Sequence, residues 1–300
     1  MSEKKDTPFH SGFISIIGRP NAGKSTFLNA VLGEKISIVS EKPQTTRNTI
    51  RGVKNLPNAQ MIFIDTPGIH KGAGLLNKFM VREALSSIND VDAILFLLDA
   101  SKGITEDDGI IIAGLKDVKC PVALGINKVD MVEKAALLPL IAKASAMYAF
   151  KDIVPISAKK GDGVDIVERL LLETLPVGPR YFDADAVTDE PARKIAAEFI
   201  REQVYRFTDK EVPYSVAVQI EEFTEKKAKG VIVIRAVIVV ERDSQKGIII
   251  GKGGAMLKRM GTEARRELEG LLGAKVFLEL FVRVDKDWTE TASALKEFGY

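Results

Sequence analysis

The sequence predicts two domains, an α/β domain whose mostly parallel sheet is covered by helices on both faces and then a smaller α+β domain. The chain has 300 residues, more than one average domain, and 46% of them are apolar, which is enough for two cores. Short, uniformly apolar runs alternate with helical stretches in the first part, as expected for parallel strands buried on both faces. Two strands that alternate apolar and polar residues mark the second part.

Five strands and the helices between them are predicted in the first domain, which we place over residues 1–180. The strands are 13–17, 60–64, 93–98, 122–126 and 153–156, and the helices include 24–32, 76–88 and 134–148. Each strand is too uniformly apolar to have one wet face, so the helices must supply crossovers between parallel strands. The proline-bounded region at 176–179 ends this domain.

The second domain is predicted over residues 192–300, after a linker at 181–191 that is acidic and lacks periodicity. Its elements follow the order α-β-β-α-α-β: a helix over 192–207, two strands, a pair of helices around 247–254 and 255–272, and a strand over 275–284 before a C-terminal tail. Alternate strand residues face inward. These are Val216, Val218 and Ile220, then Ile232, Ile234, Ala236, Ile238 and Val240, and finally Val276, Leu278, Leu280, Val282 and Val284.

Charge, cysteine content and hydropathy exclude several classes of protein. The net charge is +2, but seven basic and three acidic residues between Glu241 and Arg266 make the second domain locally basic. The single cysteine, Cys120, allows no intrachain disulfide and suits a reducing cytosol. Residues 1–10 do not resemble a signal sequence, and no apolar run approaches the length of a bilayer span. We therefore expect a soluble protein in the cytoplasm. We also expect a monomer.

A phosphate-binding loop is predicted between the first strand and the first helix. Residues 18–25 match GxxxxGK[ST] in the strand–loop–helix context that this motif requires. Glycines let backbone N–H groups converge on phosphate oxygens at the positive end of a helix. Lys24 is predicted to hold the β- and γ-phosphates, and Ser25 to bind Mg²⁺. The predicted nucleotide contacts of this loop are Gly18, Arg19, Pro20, Asn21, Ala22, Gly23, Lys24, Ser25 and Thr26.

Two further loops predict that the base is guanine. Residues 127–130 follow a buried strand, at the edge of the sheet where ligands of α/β proteins bind. The Asp130 carboxylate can accept the N1–H and the 2-amino hydrogens of guanine, a pattern that adenine lacks. We expect Asn127 to fix the loop and the base, the Lys128 stem to stack on the ring, and the Ala158 N–H to reach the guanine O6. The predicted base contacts are Asn127, Lys128, Val129, Asp130, Ser157, Ala158 and Lys159.

Two segments complete the predicted site for GTP and GDP. Residues 65–69, Asp-Thr-Pro-Gly-Ile, follow the strand over 60–64; Asp65 is predicted to hold Mg²⁺ through water, and the Gly68 N–H to sense the γ-phosphate. Residues 43–47 contain two threonines, of which we favour Thr46 over Thr45 to complete the Mg²⁺ shell; a plain polar loop is the alternative. The predicted nucleotide contacts of the first segment are Asp65, Thr66, Pro67, Gly68 and Ile69. The predicted catalytic residues are Lys24, Thr46 and Gly68, and the predicted metal ligands are Ser25, Thr46 and Asp65.

The order of these motifs resembles the translation-factor-related branch of GTPases. Ile69 stands where many GTPases carry the glutamine that orients the attacking water, and an apolar side chain cannot hydrogen-bond a water. The resemblance implies slow intrinsic hydrolysis that a partner or a bound cation assists. Asn21 matches the asparagine that coordinates K⁺ in some relatives, and stabilisation of the loop is the alternative role.

A candidate RNA site lies in the second domain. Residues 248–254, Ile-Ile-Ile-Gly-Lys-Gly-Gly, contain a GxxG motif between two helices. GxxG alone is weak, but this one follows two antiparallel strands, opens a basic helix and precedes a third strand, the order of the type II KH fold. Glycines let a sugar-phosphate backbone approach, and residues 248–250 would lie under the bases; a turn without a ligand is the alternative. The predicted RNA contacts are Ile250, Gly251, Lys252, Gly253, Gly254, Lys258 and Arg259.

A P-loop GTPase domain followed by a type II KH domain resembles the Era family over residues 12–288. The resemblance is carried by the motifs GRPNAGKST, PQTTR, DTPGIH, NKVD, SAKKG and GIIIGKGGAMLK. It implies a GTP-hydrolysing switch that binds the 3′ end of small-subunit ribosomal RNA through the KH domain and acts in small-subunit (30S) assembly. It also implies a cytoplasmic protein with some peripheral association with the inner face of the cell membrane.

Two other hypotheses about the function stay open. The C-terminal domain could be a protein-interaction module of a GTPase, although the basic cluster over residues 246–266 argues against this. A tRNA-modifying GTPase shares the PNAGKS and TTR motifs, but such an enzyme should carry a catalytic cysteine in a cofactor domain. The lone Cys120 lies within the GTPase half instead.

Overall fold

The computed structural model describes residues 8–40, 42–70, 74–226 and 230–300. These residues divide into two compact units. The first unit takes 8–37, 46–70 and 80–189, and the second takes 38–40, 42–45, 74–79, 190–226 and 230–300. Among the residues described, no helix is both long and apolar enough to cross a bilayer.

The first unit is built on a six-stranded sheet. Its strands are β1 (His10–Ile17), β2 (Ile50–Leu56), β3 (Ala59–Asp65), β4 (Ala93–Asp99), β5 (Val122–Asn127) and β6 (Asp152–Pro155). They lie in the order β2-β3-β1-β4-β5-β6, and all neighbours are parallel except the antiparallel pair β2–β3. The predicted mostly parallel sheet is confirmed, but β2 was missed because its mixed sequence, Ile-Arg-Gly-Val-Lys-Asn-Leu, lacks the apolar run of its neighbours.

Helices cover both faces of this sheet. They are α1 (Lys24–Leu32), residues 80–86 of α2 (Leu75–Ser86), α3 (Glu106–Gly114), α4 (Lys134–Met147) and α5 (Val164–Leu172). Along β4, Ala93, Leu95 and Leu97 join one buried apolar cluster, whereas Ile94, Phe96 and Leu98 join another. A strand buried on both sides explains the uniformly apolar sequence from which the parallel sheet was predicted.

The segment predicted as a linker hydrogen-bonds to the first unit. Gln60 Oε1 accepts the N–H groups of Tyr181 and Phe182 at 2.8 and 2.9 Å, and the Val53 N–H donates to the Val187 carbonyl oxygen at 2.7 Å. No helix or strand forms over 181–191, but these bonds hold the segment along β2 and β3. The domain boundaries at 180 and 192 stay predictions.

The second unit has the predicted order α-β-β-α-α-β. Its elements are α6 (Ala192–Phe207), β7 (Ala217–Lys226), β8 (Val231–Val240), α7 (Asp243–Ile250), α8 (Ala255–Leu272), β9 (Lys275–Val284) and α9 (Ala292–Glu297). The sheet order is β7-β8-β9, with β7–β8 antiparallel and β8–β9 parallel. The predicted inward face of β8 is confirmed, since all five residues join the core of this unit. Helix α7 begins at Asp243 rather than at 247, and α9 was not predicted.

Trp288 packs the C-terminal end of the chain onto this unit. Its side chain is fully buried, its Nε1–H donates to the Ser215 carbonyl oxygen at 3.1 Å, and its ring stacks on Tyr300 and meets Phe298 edge-on. Residues 285–300 are therefore part of the second unit rather than a loose tail.

Candidate functional site

The phosphate-binding loop connects β1 to α1 and has no room for side chains at its glycines. Gly23 has φ of 97°, and a Cβ there would lie 2.2 Å from Asn127 Nδ2. A Cβ on Gly18 would lie 2.6 Å from the Leu97 carbonyl oxygen. Left-handed backbone and close approach both require glycine, so the motif glycines hold the loop in the tight turn that opens α1.

Lys24 lies buried at the start of α1 and aims its ammonium group back into the loop. Its Nζ donates to the carbonyl oxygens of Gly18 at 3.0 Å and Arg19 at 3.1 Å. Burial lowers the pKa of Lys24 to about 8, and the nearby Asp65 carboxylate opposes that change. A desolvated cation at the positive end of a helix is a strong attractor for phosphate.

Three oxygen-bearing side chains converge next to Lys24. Ser25 Oγ lies 2.6 Å from Asp65 Oδ2 and 2.8 Å from Thr46 Oγ1, and Asp65 Oδ1 is buried without a hydrogen-bond partner among the residues described. Burial raises the pKa of Asp65, while Lys24 opposes this. Hard oxygen donors with an unpaired carboxylate oxygen are the ligands that Mg²⁺ prefers, so the predicted metal set fits a magnesium ion.

The two threonines of the 43–47 segment have different surroundings. Thr46 is buried with its hydroxyl at Ser25, whereas the Thr45 hydroxyl donates to the Lys42 carbonyl oxygen at 2.7 Å. Ser37 also donates to Asp65 Oδ2 at 2.8 Å. Sequence reasoning missed Ser37 because no motif contains it.

Asn127 joins the phosphate-binding loop to the loop after β6. Its Nδ2 donates to the Ala22 carbonyl oxygen at 2.8 Å, and its Oδ1 accepts the Ala158 N–H at 3.0 Å. Asn127 is therefore a positioning residue in this structure. The Ala158 N–H was predicted to reach guanine O6; here it donates to Asn127, so that base contact stays a prediction.

Asp130 and Lys128 are oriented by neighbours that the motif does not include. Ser157 Oγ donates to the exposed Asp130 carboxylate at 2.7 Å, which holds the pKa of Asp130 below its ordinary value. Lys128, at φ of 65°, places Nζ 2.7 Å from Asp99 Oδ2. Burial opposes ionisation of Asp99, but hydrogen bonds from Lys128 and Ser101 hold its pKa below the ordinary value. Sequence reasoning missed Asp99, although it ends β4 directly beside Asn127.

The segment after β3 packs tightly against the phosphate-binding loop. A Cβ on Gly68 would lie 2.5 Å from the backbone nitrogen of Pro20, and the Ile69 N–H donates to the Gly18 carbonyl oxygen at 3.2 Å. The Ile69 side chain joins a buried apolar cluster of the first unit. It therefore packs in the core and offers no polar group to a water.

The GxxG loop of the second unit exposes its backbone. Gly253 and Gly254 have φ of 58° and 80°, and among the described residues no atom beyond their chain neighbours lies within 4 Å of a Cβ built on either. Gly251 differs, since a Cβ there would lie 2.6 Å from Met256 Cβ. Lys252 is exposed between them. The loop thus offers open left-handed backbone of the kind that a close-approaching sugar-phosphate chain needs.

The residues on either side of this loop differ from one another in burial. Ile249 is fully buried in the core, so the expectation that all of residues 248–250 lie under RNA bases is wrong for Ile249, because α7 turns this position inward. Ile250 is half-buried, and Lys258 and Arg259 are exposed on α8. The guanidinium of Arg259 lies over the ring of Phe207, 4.5 Å from its centroid; no sequence motif contains Phe207.

Family models match both parts of the chain. One described as 50S ribosome-binding GTPase matches residues 13–128, and one described as KH domain matches residues 211–289. The chain is 58% identical to GTPase Era of Geobacter metallireducens over 98% of this chain and 99% of that protein. It is 57% identical to GTPase Era of Geotalea uraniireducens over the full length of both.

Two solved structures match nearly the whole chain. One is a variant of Aquifex aeolicus Era bound to GDP·AlF₄⁻, with a TM-score of 0.93. The other is Era in complex with MgGDPNP and nucleotides 1506–1542 of 16S ribosomal RNA, with a TM-score of 0.94. Each is 43% identical in sequence, and each match covers 97% of this chain and 99% of that one.

Proposed function

The chain belongs to the Era family of GTPases, and we propose that it is a GTP-dependent switch that binds small-subunit ribosomal RNA near its 3′ end and acts in assembly of the small subunit. One observation carries the RNA part of the proposal: Gly253 and Gly254 of the GxxG loop leave their backbone open beside exposed cations. The Era structure solved with a segment of 16S ribosomal RNA supports the choice of RNA.

In this proposal the first unit binds the nucleotide with groups that are already in place. Lys24 and the backbone of the phosphate-binding loop hold the phosphates, and Asp130 accepts hydrogen bonds from guanine. Mg²⁺, held by Ser25, Thr46 and, through water, Asp65, would neutralise charge on the β- and γ-phosphates. Gly68 is the backbone donor for the γ-phosphate, and since Ile69 cannot orient a water, intrinsic turnover is slow.

The monovalent cation is a separate proposal that rests on Asn21. This residue adopts φ of 61° within the phosphate-binding loop, and we propose that it helps to hold K⁺ against the phosphates. Turnover measured in K⁺ should exceed turnover in Na⁺ at equal ionic strength, and Asn21→Ala should abolish the difference. Equal turnover in both salts would exclude Asn21 as a cation ligand.

We further propose that the protein is a cytoplasmic monomer with some peripheral contact to the inner face of the cell membrane. This proposal follows from the family and from no particular site. Flotation with vesicles of anionic lipid tests the contact, and sedimentation tests the oligomeric state.

The RNA proposal is tested by crosslinking the protein to cellular RNA with GDP and with a non-hydrolysable GTP analogue, followed by sequencing. Reads from the 3′ end of small-subunit RNA, more abundant in one nucleotide state, are expected. Lys252→Asp combined with Gly253→Asp should remove these reads, because negative charge repels phosphate and a side chain occupies the open backbone. Lys275→Asp, a charge reversal at an exposed site on β9, is the control. Absence of RNA enrichment with the wild-type chain would favour a protein-interaction module.

A further inference from the structure

We propose that a second RNA phosphate is bound outside the GxxG loop, by Arg206 and Arg259, whose guanidinium groups are held around the ring of Phe207. We call these three residues the arginine clamp. The inference rests on the proposed RNA-binding function; it joins Arg259, which is among the predicted RNA contacts, to Arg206 and Phe207, which no motif contains. The ligand class is single-stranded RNA longer than the four nucleotides that a GxxG loop clamps.

The clamp is assembled from two helices of the second unit. Phe207 is the last residue of α6 and is half-buried against the core, while Arg259 lies in the second turn of α8, which begins directly after Gly254. The Arg259 guanidinium carbon is 4.5 Å from the Phe207 ring centroid, and that of Arg206 is 6.0 Å from the same centroid. The ring therefore gathers two cations close to the first turns of the helix that the GxxG loop opens.

In the described ranges, the charges of these two arginines are not compensated by an acid, unlike those of three other arginines of the same unit. Both are exposed, and within the part of the chain that the structure describes neither pairs with a carboxylate. By contrast, Arg201 pairs with Glu198, Arg235 pairs with Glu222 and Glu279, and Arg283 pairs with Glu297. Two neighbouring cations without an acid repel each other, and a bound phosphate would relieve that repulsion.

Helix electrostatics explains one of the two positions and not the other. A cation in the last turn of α6, such as Arg206, is stabilised by the negative end of the helix dipole. Arg259 lies near the opposite, positive end of α8, where a cation gains nothing from the dipole. Its stacking on Phe207 keeps it there, and the combined positive charge of helix end and side chain favours an anion.

The chemistry of guanidinium decides what the clamp can recognise. Its planar fork of N–H donors matches two phosphate oxygens, which an ammonium group cannot do. Contact with the Phe207 ring restricts the Arg259 side chain before the ligand arrives, so less side-chain freedom is lost on binding. Lysine at position 259 would keep the charge but lose both the fork and the stack.

The test compares a four-nucleotide RNA with twelve-nucleotide RNAs extended at the 5′ or at the 3′ end, by fluorescence anisotropy of the full-length protein. Arg259→Lys and Arg206→Lys should each weaken binding of one twelve-nucleotide RNA by about three- to tenfold. Binding of the four-nucleotide RNA should stay within about twofold of wild type in Arg206→Lys, and in Arg259→Lys it should fall by less than binding of the long RNA does. Arg265→Lys, at an exposed arginine of the same helix, is the matched control and should change neither affinity.

The salt dependence of Kd provides a second measurement, which would not change if Arg259 had a purely structural role. Arg259→Gln should reduce the slope of log Kd against log salt by about 0.7 for the long RNA, the value for one single-strand phosphate contact. Phe207→Leu should give part of the Arg259→Lys effect, since the ring only positions the guanidinium. Thermal melting must first show that each variant is folded. If Phe207→Leu does not fold, Arg206→Lys still tests the clamp.

The possible failures are distinguishable. If Lys252→Asp with Gly253→Asp abolishes binding of both RNA lengths while all clamp variants bind the long RNAs like wild type, the clamp is refuted and the RNA-binding function stands. If the wild-type chain binds none of these RNAs, the proposed function itself fails, and the clamp fails with it. Length-dependent loss that is confined to the clamp variants supports the clamp.

Discussion

The nucleotide site of the first unit and the candidate RNA site of the second unit are built in opposite ways. Lys24, Asp65 and Asn127 are buried and bonded to other parts of their own site, whereas Lys252, Lys258 and Arg259 are exposed. A small ligand of fixed shape can be met by groups held rigidly at strand ends, and burial strengthens each electrostatic contact. A polymer needs open backbone and accessible charge. Substitutions in the first site should therefore change contacts within the protein as well as ligand binding. Substitutions in the second site should change ligand binding alone.

The largest effect is expected at Lys24. Lys24→Met should abolish detectable GTP binding, because the buried cation that faces the phosphates is lost. The unfolding free energy of the nucleotide-free protein should be unchanged or higher, since the substitution removes a desolvated charge. Binding of a fluorescent GTP analogue and urea unfolding measure the two quantities. Retained GTP affinity would contradict the assigned role of Lys24, and a large loss of stability would contradict the inference that its buried charge is unfavourable for folding.

A smaller loss of GTP affinity, about a hundredfold, is expected when Asp130 is replaced. Asp130→Asn should weaken GTP binding and strengthen binding of xanthosine triphosphate, because the donor and acceptor pattern of the side chain is inverted. Competition between the two nucleotides measures the change, and Asp162→Asn, at another acidic residue of the first unit, serves as the control. A variant that binds GTP like wild type would mean that the base is recognised elsewhere.

Raising the pH should weaken nucleotide binding by up to about tenfold per unit above pH 8. The pKa of Lys24 is about 8 in the folded, ligand-free chain instead of the ordinary 10.5, and a bound phosphate favours the protonated form. Binding above pH 8 must therefore take up a proton. The same depressed pKa means that the contribution of Lys24 to folding stability rises as the pH increases from 8 to 10.5.

Calorimetry in two buffers of different ionisation enthalpy measures this proton uptake directly. For the predicted change in folding stability, the control is urea unfolding of Lys24→Met over the same pH range, because that variant lacks the titrating group. An uptake of zero protons at pH 9 would show that the Lys24 pKa is not depressed.

The smallest effect on turnover is expected at Ile69. Ile69→Ala should change the rate of GTP hydrolysis by less than about tenfold, since the side chain packs in the core and offers no hydrogen bond. The unfolding free energy should fall by about 2–5 kcal/mol because a buried cavity forms. Ile69→Val separates the two effects with a smaller stability loss. A hundredfold loss of turnover in Ile69→Val would reveal a direct catalytic role.

Much of this molecule was predictable because its signals are local in sequence. The first helix at 24–32, the helix at 192–207 and the strand at 275–284 have the predicted bounds, because their periodicity and flanking residues are read within a few neighbours. The glycine motifs belong to the same class, since each demands a backbone conformation at its own position. Helix α3 was missed although Thr105 and Asp108 form a capping box at its start; its two glycines and its run of isoleucines obscured that signal.

Tertiary structure alone decided which distant residues meet. Ser37 beside Asp65, Asp99 beside Lys128 and Phe207 beneath Arg259 are pairs separated by 28, 29 and 52 positions. Whether Ile249 faces the core or the ligand depended in the same way on how α7 packs. No local pattern specifies these contacts, because they arise only when strand ends and helix faces from different parts of the chain are brought together by burial of apolar surface.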